Sequence, residues 1–98
     1  MDINQYKSKI NLLCEQHKVS KLFAFGSVLT NRFNEGSDID MVVDFKDFDL
    51  REYVDNYFSL RDALSRTLGR EIDLLEDKAI RNPVLRRNIE NSKQLIYE

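Results

Sequence analysis

From Asp38 to Phe45 the chain alternates between two kinds of side chain. Ile39, Met41, Val43 and Phe45 fall on one side of an extended strand, while Asp38, Asp40, Val42 and Asp44 fall on the other. The pattern describes a strand with one apolar side and one unusually acidic side. The rest of the fold has to be arranged around it.

Helical spacing dominates on either side. Ile3, Tyr6, Ile10, Leu13, Cys14 and His17 recur at three- and four-residue intervals, and Asp2 with Gln5 resembles a capping box, so a helix is expected over residues 3–17, stopping near Val19 and Ser20. Leu22 to Phe25 is a short apolar run that fits a strand buried on both faces, ending at Gly26-Ser27. A short helix over Val28 to Phe33 and a polar turn over 34–37 should lead into the acidic strand. Asp49 and Glu52 then have capping-box spacing before Leu50, Tyr53, Val54, Tyr57, Leu60 and Leu64, a helix that Leu68-Gly69 should end. Glu71 to Glu76 reads as a third strand, with Asp73 opposite Ile72 and Leu74. Asn82-Pro83 reads as the cap and first residue of a last helix, and residues 94–97 as an edge strand. The order predicts one small α+β domain over residues 1–98, α/β-like in its alternation, with a mixed sheet of about four strands flanked by helices. The sheet should be mixed because the link between the first two strands is short for a parallel crossover.

Bulk properties narrow the function. A chain of 98 residues with 42% hydrophobic content is sized for one folded core. Its 17 acidic and 15 basic residues argue against a nucleic-acid-binding module, which would carry a basic excess. The locally basic stretch from Lys78 to Glu98 reads as a solvated helix face. Cys14 is the sole cysteine, so an internal disulfide or thiolate zinc site is excluded and a core role is expected. No apolar run approaches the ~20 residues a membrane span needs, and no leader opens the chain; a cytoplasmic protein without a membrane partner is the expectation.

Asp38 and Asp40 lie two apart on one strand, so their carboxylates project from one face with Cα atoms about 6–7 Å apart. Side-by-side carboxylates repel, and a divalent cation resolves the conflict; Mg2+ takes oxygen ligands and is commonly held by one or two carboxylates plus substrate phosphates. Asp73, from another strand, completes a set of three if the two strands are neighbours. Asp44 shares the face by parity but lies about 13 Å beyond Asp40 along the strand, and is read as solvent-facing. Gly26-Ser27 ends a buried strand where glycine lets backbone approach a ligand and free amides and a hydroxyl can meet phosphate oxygens. Taken singly, each feature also fits an ordinary wet strand or an ordinary turn. Together they place a phosphate cradle beside a carboxylate cage, which suits phosphoryl or nucleotidyl transfer.

Phe25-Gly26-Ser27, then Ser37-Asp38-Ile39-Asp40-Met41-Val42-Val43, then Glu71-Ile72-Asp73-Leu74-Leu75 resemble the signature of the DNA polymerase beta superfamily of nucleotidyltransferases, in its minimal nucleotidyltransferase branch. The resemblance implies two Mg2+ ions held by Asp38 and Asp40, with Asp73 completing the shell and helping to activate the acceptor hydroxyl. It also implies ATP as donor, gripped by Gly26 and Ser27, with Ser37 and Arg32 counted among the nucleotide-binding residues. Members of this branch are often antitoxins that adenylylate a tyrosine of a helical HEPN toxin. The alternative is a noncatalytic antitoxin that neutralises its partner by binding. The chain departs from the family at Thr30, where an arginine is often found three residues after the motif serine; Arg32 is the nearby substitute. His17 is expected to be structural, and Tyr53, Tyr57 and Phe58 to form helix-face core or a partner surface.

Overall fold

The computed structural model describes residues 2–34 and 36–98. A 3-10 turn (Ile3–Tyr6) leads into helix α1 (Lys7–Gln16), strand β1 (Val19–Phe25) and a second 3-10 turn (Gly26–Leu29). Strand β2 (Ile39–Phe45), helix α2 (Leu50–Leu68), strand β3 (Ile72–Glu76), a 3-10 turn (Asp77–Ala79), helix α3 (Pro83–Ser92) and strand β4 (Gln94–Tyr97) follow. The four strands form one mixed sheet in the order β3-β2-β1-β4, as expected. β1 runs antiparallel to both β2 and β4, and β2 runs parallel to β3. Among the described residues no helix is long and apolar enough to cross a membrane.

Local chemistry sets most of the boundaries. The Asp49 carboxylate accepts from the Arg51 amide at 2.9 Å and opens α2; Gly69, at φ 67°, closes it in the left-handed conformation that glycine tolerates. The Asn82 side chain accepts from Val84 and Leu85 and, with Pro83 in the first turn, opens α3. Asp2 does cap, but it caps a 3-10 turn, and the α-helix begins only at Lys7. β1 starts at Val19, three residues before the apolar run. Lys18, at φ 60°, reverses the chain within one residue of α1, so Val19 can pair with Phe45 across a bulge.

The apolar side of β2 is the centre of the core. Ile39, Met41 and Val43 are fully buried with Leu22 and Ala24 of β1, against Ile10 and Cys14 of α1 and Leu60 and Leu64 of α2. Burial pushes the Cys14 thiol up to about 12, consistent with a core role. Tyr57 joins the layers by donating to the Leu74 carbonyl. His17 is structural: its ring nitrogens meet the Leu13 carbonyl at 2.7 Å and Ser59 Oγ at 3.0 Å, tying the end of α1 to α2.

Four expectations change. β1 is not equally buried on both faces; Leu22 and Ala24 are buried, while Phe23 and Phe25 are half-buried. The acidic side of β2 is acidic without interruption only at its start, because Val42 is buried there as well. Lys93, the residue that follows α3, brings its ammonium 4.3 Å from the centre of the Phe23 ring. Asp44 is half-buried rather than solvent-facing, 3.9 Å from Lys78 Nζ. Finally, Val28 to Phe33 forms no α-helix. The Thr30 amide and hydroxyl both bond back to the Ser27 carbonyl, at 3.0 and 2.9 Å, and extended backbone at Thr30 ends the 3-10 turn. Of the expected polar turn, Glu35 lies outside the described residues; across it the Ser37 amide donates to the Asn34 carbonyl at 3.0 Å.

Leu64, fully buried between α2 and the sheet, gives a direct test of this core. Leu64→Ala is expected to cost about 2–5 kcal/mol in urea unfolding, and a loss well under 1 kcal/mol would contradict the packing.

Candidate functional site

Strand pairing alone brings two of the three acids together. Asp40 of β2 is the register partner of Asp73 on parallel β3, and on its other flank it faces Phe25, the last residue of β1. Ile72 and Leu74 turn inward to the core, so Asp73 between them turns to the same second face as Asp40. Asp38 sits just ahead of β2, exposed, its neighbour Ile39 tied to Glu71 by an amide-to-carbonyl bond of 3.0 Å.

Gly26 follows Phe25 and therefore lands beside Asp40. Its φ is 77°, and a Cβ placed on it would lie 2.6 Å from Asp40 Oδ2, closer than side-chain carbons approach any such atom. The glycine backbone and the Asp40 carboxylate thus occupy adjoining space that any other residue would invade. Glycine here is expected to leave room for a ligand; the near neighbour in the fold is the Asp40 carboxylate.

Electrostatics agree with the geometry. Burial raises the Asp40 carboxyl above the ordinary carboxylate range, and the neighbouring charges of Asp73 and Asp38 raise it further. Asp40 therefore carries the repulsion of both other acids. Among the described residues, no three His, Cys, Asp or Glu side chains close into a ready-made metal cage. The strand register sets Asp40 beside Asp73, and Asp38 lies two residues before Asp40. Hard oxygen donors, a half-buried central carboxylate and a glycine-lined wall fit a Mg2+ site.

The remaining expected residues stand further from this centre. Ser27 is half-buried, its carbonyl engaged by Thr30. The Ser37 hydroxyl accepts from the Asn34 amide at 3.1 Å and is used within its own turn. Arg32 is exposed, its amide donating to Thr30 Oγ1 at 3.2 Å. Thr30, at the position where an arginine was looked for, caps the 3-10 turn instead. The turn also means that no α-helix begins at Gly26-Ser27, so phosphate binding there would rest on individual amides and a hydroxyl rather than on a helix dipole. One residue was missed: Arg70, just before β3, bonds to the Asn34 and Ser37 carbonyls and lies 4.5 Å over the Phe33 ring. Its sequence signal was slight, a basic residue three positions before Asp73.

The chain resembles several known proteins. Residues 8–98 match the family described as "Polymerase beta, Nucleotidyltransferase". A Methanocaldococcus jannaschii protein named "Putative protein adenylyltransferase" is 40% identical over 86 residues, spanning 88% of this chain and 83% of the relative. Among solved structures, one described as "putative minimal nucleotidyltransferase" superposes with a TM-score of 0.77 at 24% identity, over 94% of this chain and 90% of the other. A chain from the complex of the tri-AMPylated Shewanella oneidensis HEPN toxin with its MNT antitoxin gives 0.65 at 21% identity, over 95% and 70%. At these identities the structural likeness carries the fold.

Two stability measurements test the site without any assay of activity. Because the folded Asp40 carboxyl is raised above its unfolded value, its favourable contribution is present at low pH and is lost as pH rises through that raised value. In metal-free buffer Asp40→Asn should therefore melt above the wild type at pH 7, and the gain should vanish below about pH 4. A variant less stable than wild type at both pH values would contradict the crowding. Gly26 and Gly69 both have positive φ, but only Gly26 faces a close atom, Gly69 having nothing within 4 Å. In urea unfolding Gly69→Ala should cost about 1 kcal/mol, and Gly26→Ala about 1–3 kcal/mol more from overpacking; equal costs would remove the contact with Asp40.

Proposed function

The chain belongs to the polymerase beta nucleotidyltransferase family, and from that premise we propose that it is a Mg2+-dependent protein adenylyltransferase that moves AMP from ATP to a tyrosine hydroxyl of a helical HEPN-type toxin, and so acts as an antitoxin. The observation that carries the reading is the register of Asp40 between Asp73 and the Gly26 turn. The relatives named as protein adenylyltransferases and the AMPylated toxin in the neighbouring complex support the choice of acceptor.

Asp38, Asp40 and Asp73 would hold two Mg2+ ions, which when bound neutralise the triphosphate and make the acceptor hydroxyl easier to ionise. The chain's own groups divide the rest. Gly26 leaves room for a phosphate against its backbone, and its amide with the Ser27 hydroxyl would donate to triphosphate oxygens. Ser37 and Arg32 are the further candidates for contact with the nucleotide, the Ser37 hydroxyl already accepting from the Asn34 amide. Asp73, exposed at the edge of the site, would draw the proton of the acceptor hydroxyl toward its carboxylate. The acceptor oxygen then bonds to the α-phosphorus, the bond to the β-phosphate oxygen breaks, and its electron pair leaves with pyrophosphate.

A second reading rests on Thr30. With its hydroxyl committed to the Ser27 carbonyl, it offers no cation to the triphosphate. The chain would then neutralise its partner by binding alone.

Transfer of labelled AMP from ATP to the toxin separates the two. Asp38→Asn, Asp40→Asn and Asp73→Asn should each lower it by more than the roughly 10–100-fold typical of losing an outer partner of a metal site. Undiminished transfer in the first two variants would reject the site. Full neutralisation by Asp40→Asn without nucleotide would favour the binding module.

A further inference from the structure

Among its described residues the segment between the Gly26–Leu29 turn and β2 contains no helix or strand, yet it leads into Asp38. Its local bonds close small loops and do not fix it to the body: Gly36 and Ser37 amides to Asn34, and the Asn34 amide to Ser37 Oγ. Among the described residues, Phe33 packs against the core, and Arg70 adds a polar long-range tie. Its guanidinium donates to the Asn34 carbonyl and, at 3.4 Å, to the Ser37 carbonyl, from 36 and 33 residues away, and it covers the Phe33 ring at 4.5 Å.

The adjacent residue completes a bracket. Ser37, immediately before Asp38, is held by Arg70, while Ile39, immediately after it, donates to the carbonyl of Glu71 at 3.0 Å. Two consecutive residues at the entrance of β3 thus grip the two neighbours of Asp38. The Asp38 side chain is exposed, so its position follows from that backbone. We infer that Arg70 is the positioning residue for Asp38: it clamps the Phe33–Ser37 loop to the start of β3, so that Asp38 and Asp73 are presented together to a divalent cation. The inference rests on the three-acid metal site proposed above.

Arginine suits the task. Both carbonyl contacts come from Nη1, and the planar head also lies over the Phe33 ring, a face that lysine's point charge would not cover. The backbone carbonyl of Arg70 accepts from Ser65 Oγ at 2.7 Å, a contact that substitution of the side chain leaves in place.

The test measures Mn2+ binding calorimetrically in the isolated protein, alongside hydrogen exchange of the loop and AMP transfer. Arg70→Ala should weaken Mn2+ binding about 10-fold and speed exchange at the Asp38 and Ile39 amides in metal-free buffer. The Mg2+ concentration for half-maximal transfer should rise by the same factor, with kcat recovering at saturating Mg2+. Arg70→Lys should regain part of the affinity, and it carries the test if the alanine variant does not fold. Asp38→Asn serves as the reference. Wild-type Mn2+ affinity in both Arg70 variants, beside lost affinity in Asp38→Asn, overturns the role of Arg70 alone. Wild-type affinity in Asp38→Asn overturns the metal site itself, and the inference with it.

Discussion

Parallel pairing of β2 with β3 sets Asp40 directly against Asp73, and everything distinctive in the molecule follows from that opposition. Like charges opposed across a sheet are destabilising, and partial burial of Asp40 sharpens the cost by weakening its hydration. A sheet selected for stability alone would place an apolar or oppositely charged residue at one of the two positions. The fold accepts the repulsion because the other side of the same strands supplies the compensation: Ile39, Met41, Ile72 and Leu74 are all buried within the core. One face of two strands holds the domain together, and the other face holds a conflict that the proposed cation would relieve.

The turn after β1 belongs to the same arrangement. Since β1 ends opposite Asp40, the first residue beyond it must pass the carboxylate at close range. Glycine at φ 77° satisfies both the sharp change of direction and the lack of space. The chain then needs an abrupt exit from the turn, which Thr30 provides by bonding twice to the Ser27 carbonyl. The wall of the site and the path of the loop are therefore set by short-range chemistry, while the position of the acids is set by long-range strand register.

That division explains what could be read from the sequence. The β2 alternation, the caps at Asp49 and Asn82 and the stop at Gly69 are local signals, and the corresponding elements stand where they pointed. The mixed sheet also followed from a local fact, the short link between the first two strands. Register is not local. Nothing in the sequence stated that Asp40 would meet Asp73 rather than a residue two positions away; only the resemblance to a family suggested it. Val42 shows the limit from the other side. Its parity assigned it to the acidic face, yet it is buried there, which the alternation of one strand cannot reveal.

The site's periphery was read less well, because position in a motif was equated with role. Ser37 lies next to Asp38 in sequence, yet its hydroxyl closes a turn; Thr30 occupies the arginine position, yet it turns inward to cap. Both hydroxyls were drawn into local backbone bonds, the competition that serine and threonine commonly bring to loops. Arg70 is the converse case. Nothing around it in sequence announces a function, and its importance appears only once a carbonyl 36 residues away comes within reach of its guanidinium. A loop without secondary structure has to borrow its order from elsewhere in the chain. Here the loan comes from the strand that carries Asp73, so the same element fixes two of the three acids, one through its own register and one through the side chain just ahead of it.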